Sequence, residues 1–414
     1  MKALYHYSRL LSVIFLLPFL ILSSCKDDSI ETKTYHMFIP SMISVTDLRS
    51  QVNFSQVPEP LSIPGKIYIY GNYLFISEVN RGIHVVDNSN PTFPRFISFI
   101  NIPGNADMAI SDNILYADSY VDLLAFNISK PGNIQHVKRV TDVFEKFYAN
   151  KAKGIIYGLK DTVVSQRIDE GNSVGGRPMF FEANSSNLSS KSYGTGGSTA
   201  RFTLMNDYLY TVDNSKLKLF DVAVPSNPSY LSSINIGWGI ETIFPYENKL
   251  FIGSTTGMHI FDASKPSAPF KLSTYRHVTS CDPVIVQGKY AYVTLRSGNF
   301  CQQGVNVLDV LNIEDPTKPV LVSSFPMLNP HGLGISNNDL FICEGENGLK
   351  AFKNTDVLKI GDNQRSFIRG INAKDVITGP KSLIVTGDEG VYQYNYANSS
   401  ALKLLSKITL DNNL

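Results

Sequence analysis

"RGIHVVDNSNPTFP" (Arg81–Pro94) and "TGMHIFDASKPSAP" (Thr256–Pro269) follow one plan. A glycine precedes a run of apolar and β-branched residues; an aspartate ends the run; a proline-bearing turn follows. "KLKLFDVAVPSNP" places its aspartate at Asp221 and "GVNVLDVLNIEDPTKP" at Asp309. Weaker copies centre on Asn127, Lys353 and Asn395. The steps 87 to 127, 221 to 262, 262 to 309, 309 to 353 and 353 to 395 are 40, 41, 47, 44 and 42 residues. The interval from 127 to 221 is 94, about two periods, and a degraded copy, "TVVSQRID", ending at Asp169 divides it. That makes eight units. Self-similarity at this period marks a repeat architecture.

Each unit carries a second landmark upstream: "YLFIS" from Tyr73, "ILYAD" from Ile114, "YLYTV" from Tyr208, "KLFIG" from Lys249, "YAYVT" from Tyr290. One unit therefore reads as four short strands, in the first case "KIYIY", "YLFIS", "GIHVVD" and "FISFI", with Gly, Asn, Asp and Pro between them. The strands are apolar at nearly every position, as expected when both faces are covered by neighbouring sheets. Four strands per repeat predict an all-β fold, a β-propeller of eight four-stranded blades over residues 61–414, or seven if the third unit is not a blade. The motif aspartates Asp87, Asp221, Asp262 and Asp309 suit Asx turns, since a carboxylate repeated in most units is a turn former before it is a catalyst. "GTGGST" (Gly194–Thr199) lacks the lysine and the strand-to-helix setting of a phosphate loop and reads as a flexible linker.

The repeats "GIHVVDNSNP" and "GMHIFDASKP" resemble those of the LVIVD-repeat family, secreted or lipid-anchored β-propellers of Bacteroidota. The resemblance runs from about Ser62 to Leu410. It implies the fold and a surface location; it implies no established activity and supplies no catalytic residue.

The first residues are read as a leader. Lys2 and Arg9 precede the apolar run Leu10–Leu22, which is too short to span a bilayer as a helix. It ends in "LSSC", which resembles the bacterial lipobox. That likeness implies a signal peptide over 1–24, cleavage before Cys25 and a lipid on its sulfur; "KDDS" after it resembles a surface-export signal. Residues 25–60 are then a lipidated tether with one or two strands against the propeller. The expected location is the outer membrane, lipid-anchored and exposed at the cell surface, where disulfides persist.

The chain has 37 basic and 36 acidic residues, so no basic face for nucleic acid is expected. Catalytic signatures are missing: there is no HExxH, CxxC or GxSxG. No cofactor is called for. In a propeller the links between second and third strands share a face with the links between blades. Aligning the repeats places Trp238, Asp282, Arg296, His331 and Glu344 on that face as a candidate binding rim, joined by Glu78, Asp118, Cys281, Cys301 and Cys343. Trp238, the one tryptophan, is either a stacking platform or a plug in the channel. Cys281 and Cys301 bracket two antiparallel strands and are read as a disulfide pinning "RSGNFCQQ", with Cys343 free; a zinc site from these cysteines and His331 is the competing arrangement. The function expected is a ligand- or protein-binding module, its partner a glycan, a peptide or an envelope protein. The alternative is an envelope hydrolase or lyase acting on glycans, with Glu344 and Asp282 as its acids.

Overall fold

The computed structural model describes residues 32–50, 54–144, 148–150, 154–167, 195–277, 283–297 and 305–411. Residues 42–157 and 181–414 form the larger of two compact units. Within it, the strands Pro64–Tyr70, Tyr73–Glu78, Gly82–Asp87 and Arg95–Asn101 pair antiparallel in sequence order as blade 1. Six further four-stranded sheets repeat this plan at 108–140, 202–235, 240–276, 284–326, 333–368 and 373–409. The described residues thus form a β-propeller of seven blades.

The eighth unit is not a blade. "TVVSQRID" lies largely in the long strand Gly154–Arg167, whose sheet contains Thr32–Ile43 and Tyr148–Asn150 instead of four consecutive strands. The degraded copy lacks the glycine and the proline turn that would fold it back on itself. The smaller compact unit, residues 1–41 and 158–180, holds the greater part of Thr32–Ile43 beside that of Gly154–Arg167.

The repeat residues act locally, with one correction. Asp87, Asp221 and Asp262 each accept the amide two residues on, from Ser89, Ala223 and Ser264, at 2.9, 2.8 and 2.7 Å. In blade 5 the turn carboxamide is Asn312, which accepts Glu314 N–H at 2.8 Å. Asp309 instead pairs with Val293 inside the blade and accepts the Ser324 hydroxyl at 2.6 Å. Asn312, not Asp309, ends its strand. The glycine before the third strand answers to crowding as well as to φ. At Gly82 and Gly390 (φ 153° and 132°) a Cβ would collide with the carbonyl oxygen of Ile100 or Ile408 on the outermost strand.

Side-chain hydroxyls clasp each blade to the next. Ser98, Tyr116, Tyr210 and Ser273 donate to the carbonyls of Pro131, Pro225, Pro266 and Pro316 at 2.6–2.8 Å. Ser323 and Ser366 donate to Val357 and Ser399, and Ser406 of blade 7 closes the circle on Pro91 of blade 1 at 2.6 Å. The motif proline therefore stops strand pairing and leaves a carbonyl free for the neighbouring blade. Among the described residues, blade 7 is built wholly from C-terminal strands, and none is shared across the closure. Asn88 and Gln393 seal it with reciprocal amide bonds of 3.0 and 2.8 Å.

The lead-in chain docks on the face of blade 2. The helix Val45–Ser50 is capped by Ser44, whose Oγ accepts Asp47 N–H at 2.9 Å. It packs Leu48 on Tyr120 and Val121, and Arg49 grips Asp122 with two bonds of 2.8 and 2.7 Å. Ser55–Gln56 then pairs along the outer edge of blade 1.

Candidate functional site: the link face and the channel mouth

The antiparallel register confirms which links share a face: every first strand begins, and every second strand ends, on the side that carries the links between blades. Trp238 lies in the link from blade 3 to blade 4 and is 79% exposed. It projects from a backbone that Gly237 and Gly239 turn through positive φ (142° and 73°). It is a free aromatic face and not a channel plug.

The carboxylates expected beside it are drawn inward. Glu344, fully buried, accepts Leu328 and Asn329 N–H at 2.9 and 2.7 Å and the Lys350 ammonium at 2.5 Å. Glu78 does the same in blade 1, accepting Ile63 N–H and the Ser62 hydroxyl at 2.6 Å and meeting His84 Nε2 at 2.9 Å. Burial alone would raise the Glu78 pKa; His84, Ser62 and the two link amides outweigh it and hold the carboxyl at about 2. Asp118 repeats the device in blade 2 through Ala106 and Asp107 N–H, at 2.8 and 3.0 Å, but burial dominates there and pushes it up to about 6. A carboxylate ending the second strand thus ties down the link that leads into its own blade.

His331 donates its amide to Cys343 O at 2.7 Å, and its carbonyl accepts Thr294 Oγ1 at 2.7 Å. Burial, then Arg296 and Lys374, drive its imidazole down to about 3, so the ring is neutral at physiological pH. Arg296, half-buried at the end of the second strand of blade 5, is near enough for its charge to act on that ring. Cys343 is an unbridged, buried thiol, pushed far up by burial and then by Asp375 and Glu344. Cys25, Cys281, Asp282 and Cys301 lie outside the described residues. Among the described residues no cluster of three or more His, Cys, Asp or Glu could hold a metal ion.

What the sequence reading missed lies at the centre. The described part of the linker-like "GTGGST", Thr195–Thr199, crosses the channel mouth. Thr195 and Gly196 pair with Ile69 and Tyr68 on the innermost strand of blade 1. Ser198 Oγ accepts Leu333 N–H of blade 6 at 2.8 Å, and Thr199 Oγ1 donates to Asp375 of blade 7 at 2.8 Å. Ala200 O accepts Ile243 N–H of blade 4 at 2.6 Å, and Arg201 N–H donates to Asp107 of blade 2 at 2.7 Å. Lys66 Nζ reaches Thr199 O and Oγ1 at 3.1 and 3.0 Å.

Lys66, Asp107 and Arg201 stand five residues before the first tight turn of their blades, at Gly71, Asp112 and Asn206, so the propeller brings one position to the mouth from three blades. Burial lowers the Lys66 ammonium well below its ordinary 10.5, against the pull of Asp375 and Asp107. Burial raises Asp107 well above 3.8, against Lys66 and the Arg201 amide. The equivalence of Lys66, Asp107 and Arg201 is visible once the turns are aligned; the crossing segment carries no such signal.

LVIVD repeats are matched at residues 65–101, 196–236 and 280–326, which correspond to blades 1, 3 and 5. Those repeats are present in this chain. No curated protein matches it. Among solved structures it is similar to the Pseudomonas aeruginosa periplasmic gluconolactonase PpgL (10% identity, TM-score 0.53, 83% of this chain and 96% of that one). It is also similar to the computationally designed Ika8 protein (9%, 0.52, 84% and 89%) and to Saccharomyces cerevisiae Sqt1 (9%, 0.51, 87% and 90%). Likeness at these identities shows the fold alone. No helix among the described residues is long and apolar enough to cross a membrane.

Proposed function

We propose that this protein is a binding module displayed on a bacterial surface, tethered through a lipid on Cys25, that engages a glycan, a peptide or an envelope protein through the face bearing Trp238. One observation carries the reading: a tryptophan 79% exposed, on a glycine-flanked link, on the face propellers present to partners. Two others support it. The channel mouth on that face is filled by the chain itself, which favours contact across the face over entry into a tunnel. Glu78 and Glu344 are saturated by link amides together with His84 and Lys350 respectively, which leaves neither as a free general acid for a glycan hydrolase or lyase.

The test is affinity purification from the native envelope with wild-type protein and the triple variant W238A/R296A/H331A. The expected result is a partner or glycan captured by the first and lost from the second. Equal capture by both overturns the reading. The anchor is tested separately: C25A should release the protein from the membrane fraction.

A further inference from the structure

Three blades place charged side chains, Lys66, Asp107 and Asp375, in the buried mouth of the channel. The fold does not require them there: blades 5 and 6 carry Pro283 and Gly332 five residues before the corresponding turn at Gly288 and Asn337. Burying charge is costly unless partners compensate it. Here part of the compensation comes from Thr195–Ala200, the segment that leads into the first strand of blade 3. Lys66 is held by a carbonyl and a hydroxyl of Thr199, and Asp375 accepts the hydroxyls of Ser198 and Thr199 at 3.3 and 2.8 Å.

The way this segment is held is that of a peptide in a receptor. It adds to the free inner edge of blade 1 as an extra antiparallel strand, paired over two residues. Its remaining contacts use backbone groups and small hydroxyls, the pattern of strand addition to an exposed sheet edge. One position is selective: a Cβ on Gly197 would collide with the Asp375 carboxylate. Beside it Arg201 keeps a buried Nε without a hydrogen-bond partner, among the charges of Asp107, Glu241, Asp118 and Asp213. The site is polar and incompletely satisfied by its resident.

We propose that the channel mouth is a strand-accepting site occupied in cis by Thr195–Ala200, and that an extended peptide rich in glycine, serine and threonine, with glycine at the Gly197 position, can take that place when the resident segment withdraws. The site is distinct from Trp238, so W238A leaves it unchanged.

The test uses the full-length protein carrying Ser198→Cys, with the buried Cys343 as internal reference. Thiol labelling is followed at each cysteine by peptide mapping. If the segment opens without global unfolding, Cys at position 198 is labelled at least about 100-fold faster than Cys343. A synthetic peptide of sequence TGGSTA should raise that rate saturably, and TGASTA, with alanine at the selective position, should not. Labelling of both thiols at one slow rate, or indifference to TGGSTA, or equal action of the two peptides, each overturns the proposal. Hydrogen exchange on the unsubstituted protein guards against a perturbing cysteine: the Arg201 amide should exchange well before the blade-core amide of Val385, and TGGSTA should narrow its protection further. Exchange of both amides at one global rate has the same overturning force.

Discussion

The outer circumference and the channel mouth both join blade to blade with polar contacts, and they do it in opposite ways. On the circumference, seven hydroxyl-to-carbonyl bonds run from each blade to the next, from Ser98–Pro131 round to Ser406–Pro91. They are neutral, and in most blades the repeat supplies both partners. At the mouth, Lys66, Asp107, Arg201 and Asp375 come from different blades, carry charge, and converge on the segment that leads into blade 3. A neutral bond repeated round a ring closes the fold at little desolvation cost. A buried charge cluster adds little net stability, and its presence points to a use beyond closure.

The contrast is open to experiment. Lys66→Ala removes one partner and leaves buried carboxylates uncompensated; a loss of about 3–5 kcal/mol in urea unfolding is expected. The double variant K66M/D375N should lose clearly less than the sum of its single variants, which a double-mutant cycle reads directly. Gly197→Ala, forced against Asp375, should cost about 1–3 kcal/mol. Losses comparable to those of the clasp variants would erase the distinction drawn here. Single clasp variants such as S273A or S406A should each cost only about 0.5–1.5 kcal/mol, with the closing bond no more important than the rest.

The pH dependence has a definite sign. Asp107 has a folded pKa raised above its ordinary 3.8, so its favourable contribution is present in acid and is lost as pH rises from about 4 toward neutrality. Asp118, at about 6, acts in the same direction. Lys66 has a folded pKa lowered from 10.5, so its cost is present at and below neutrality and is relieved as pH rises from there toward 10.5. The cluster therefore contributes least near neutral pH. The midpoint of urea unfolding, followed against pH, should show a dip there that D107N makes shallower on its acid side.

Much of the fold was legible because its causes are local. The Asx turns at Asp87, Asp221 and Asp262 are settled by a side chain and an amide two residues away. Asp309 misled because alignment by an aspartate alone ignored the strand that continues to Asn312. "TVVSQRID" passed for a blade because its spacing fits, whereas strand order is a property of partners. Glu344 was rightly assigned to the end of a second strand, but the inward turn of its carboxylate depends on two amides and a lysine that only the folded link brings near.

The sequence by itself therefore determined the strand-turn unit, its fourfold composition and the propeller class, since these follow from short-range periodicity and turn chemistry. Only the tertiary structure decided that the circle closes at seven blades, that Trp238 stands free and that a glycine-rich linker crosses the channel. The closure rests on contacts such as Asn88 with Gln393 and the crossing on Lys66 with Thr199 and Thr199 with Asp375, separated by 305, 133 and 176 residues, and no local pattern encodes a pairing at that range.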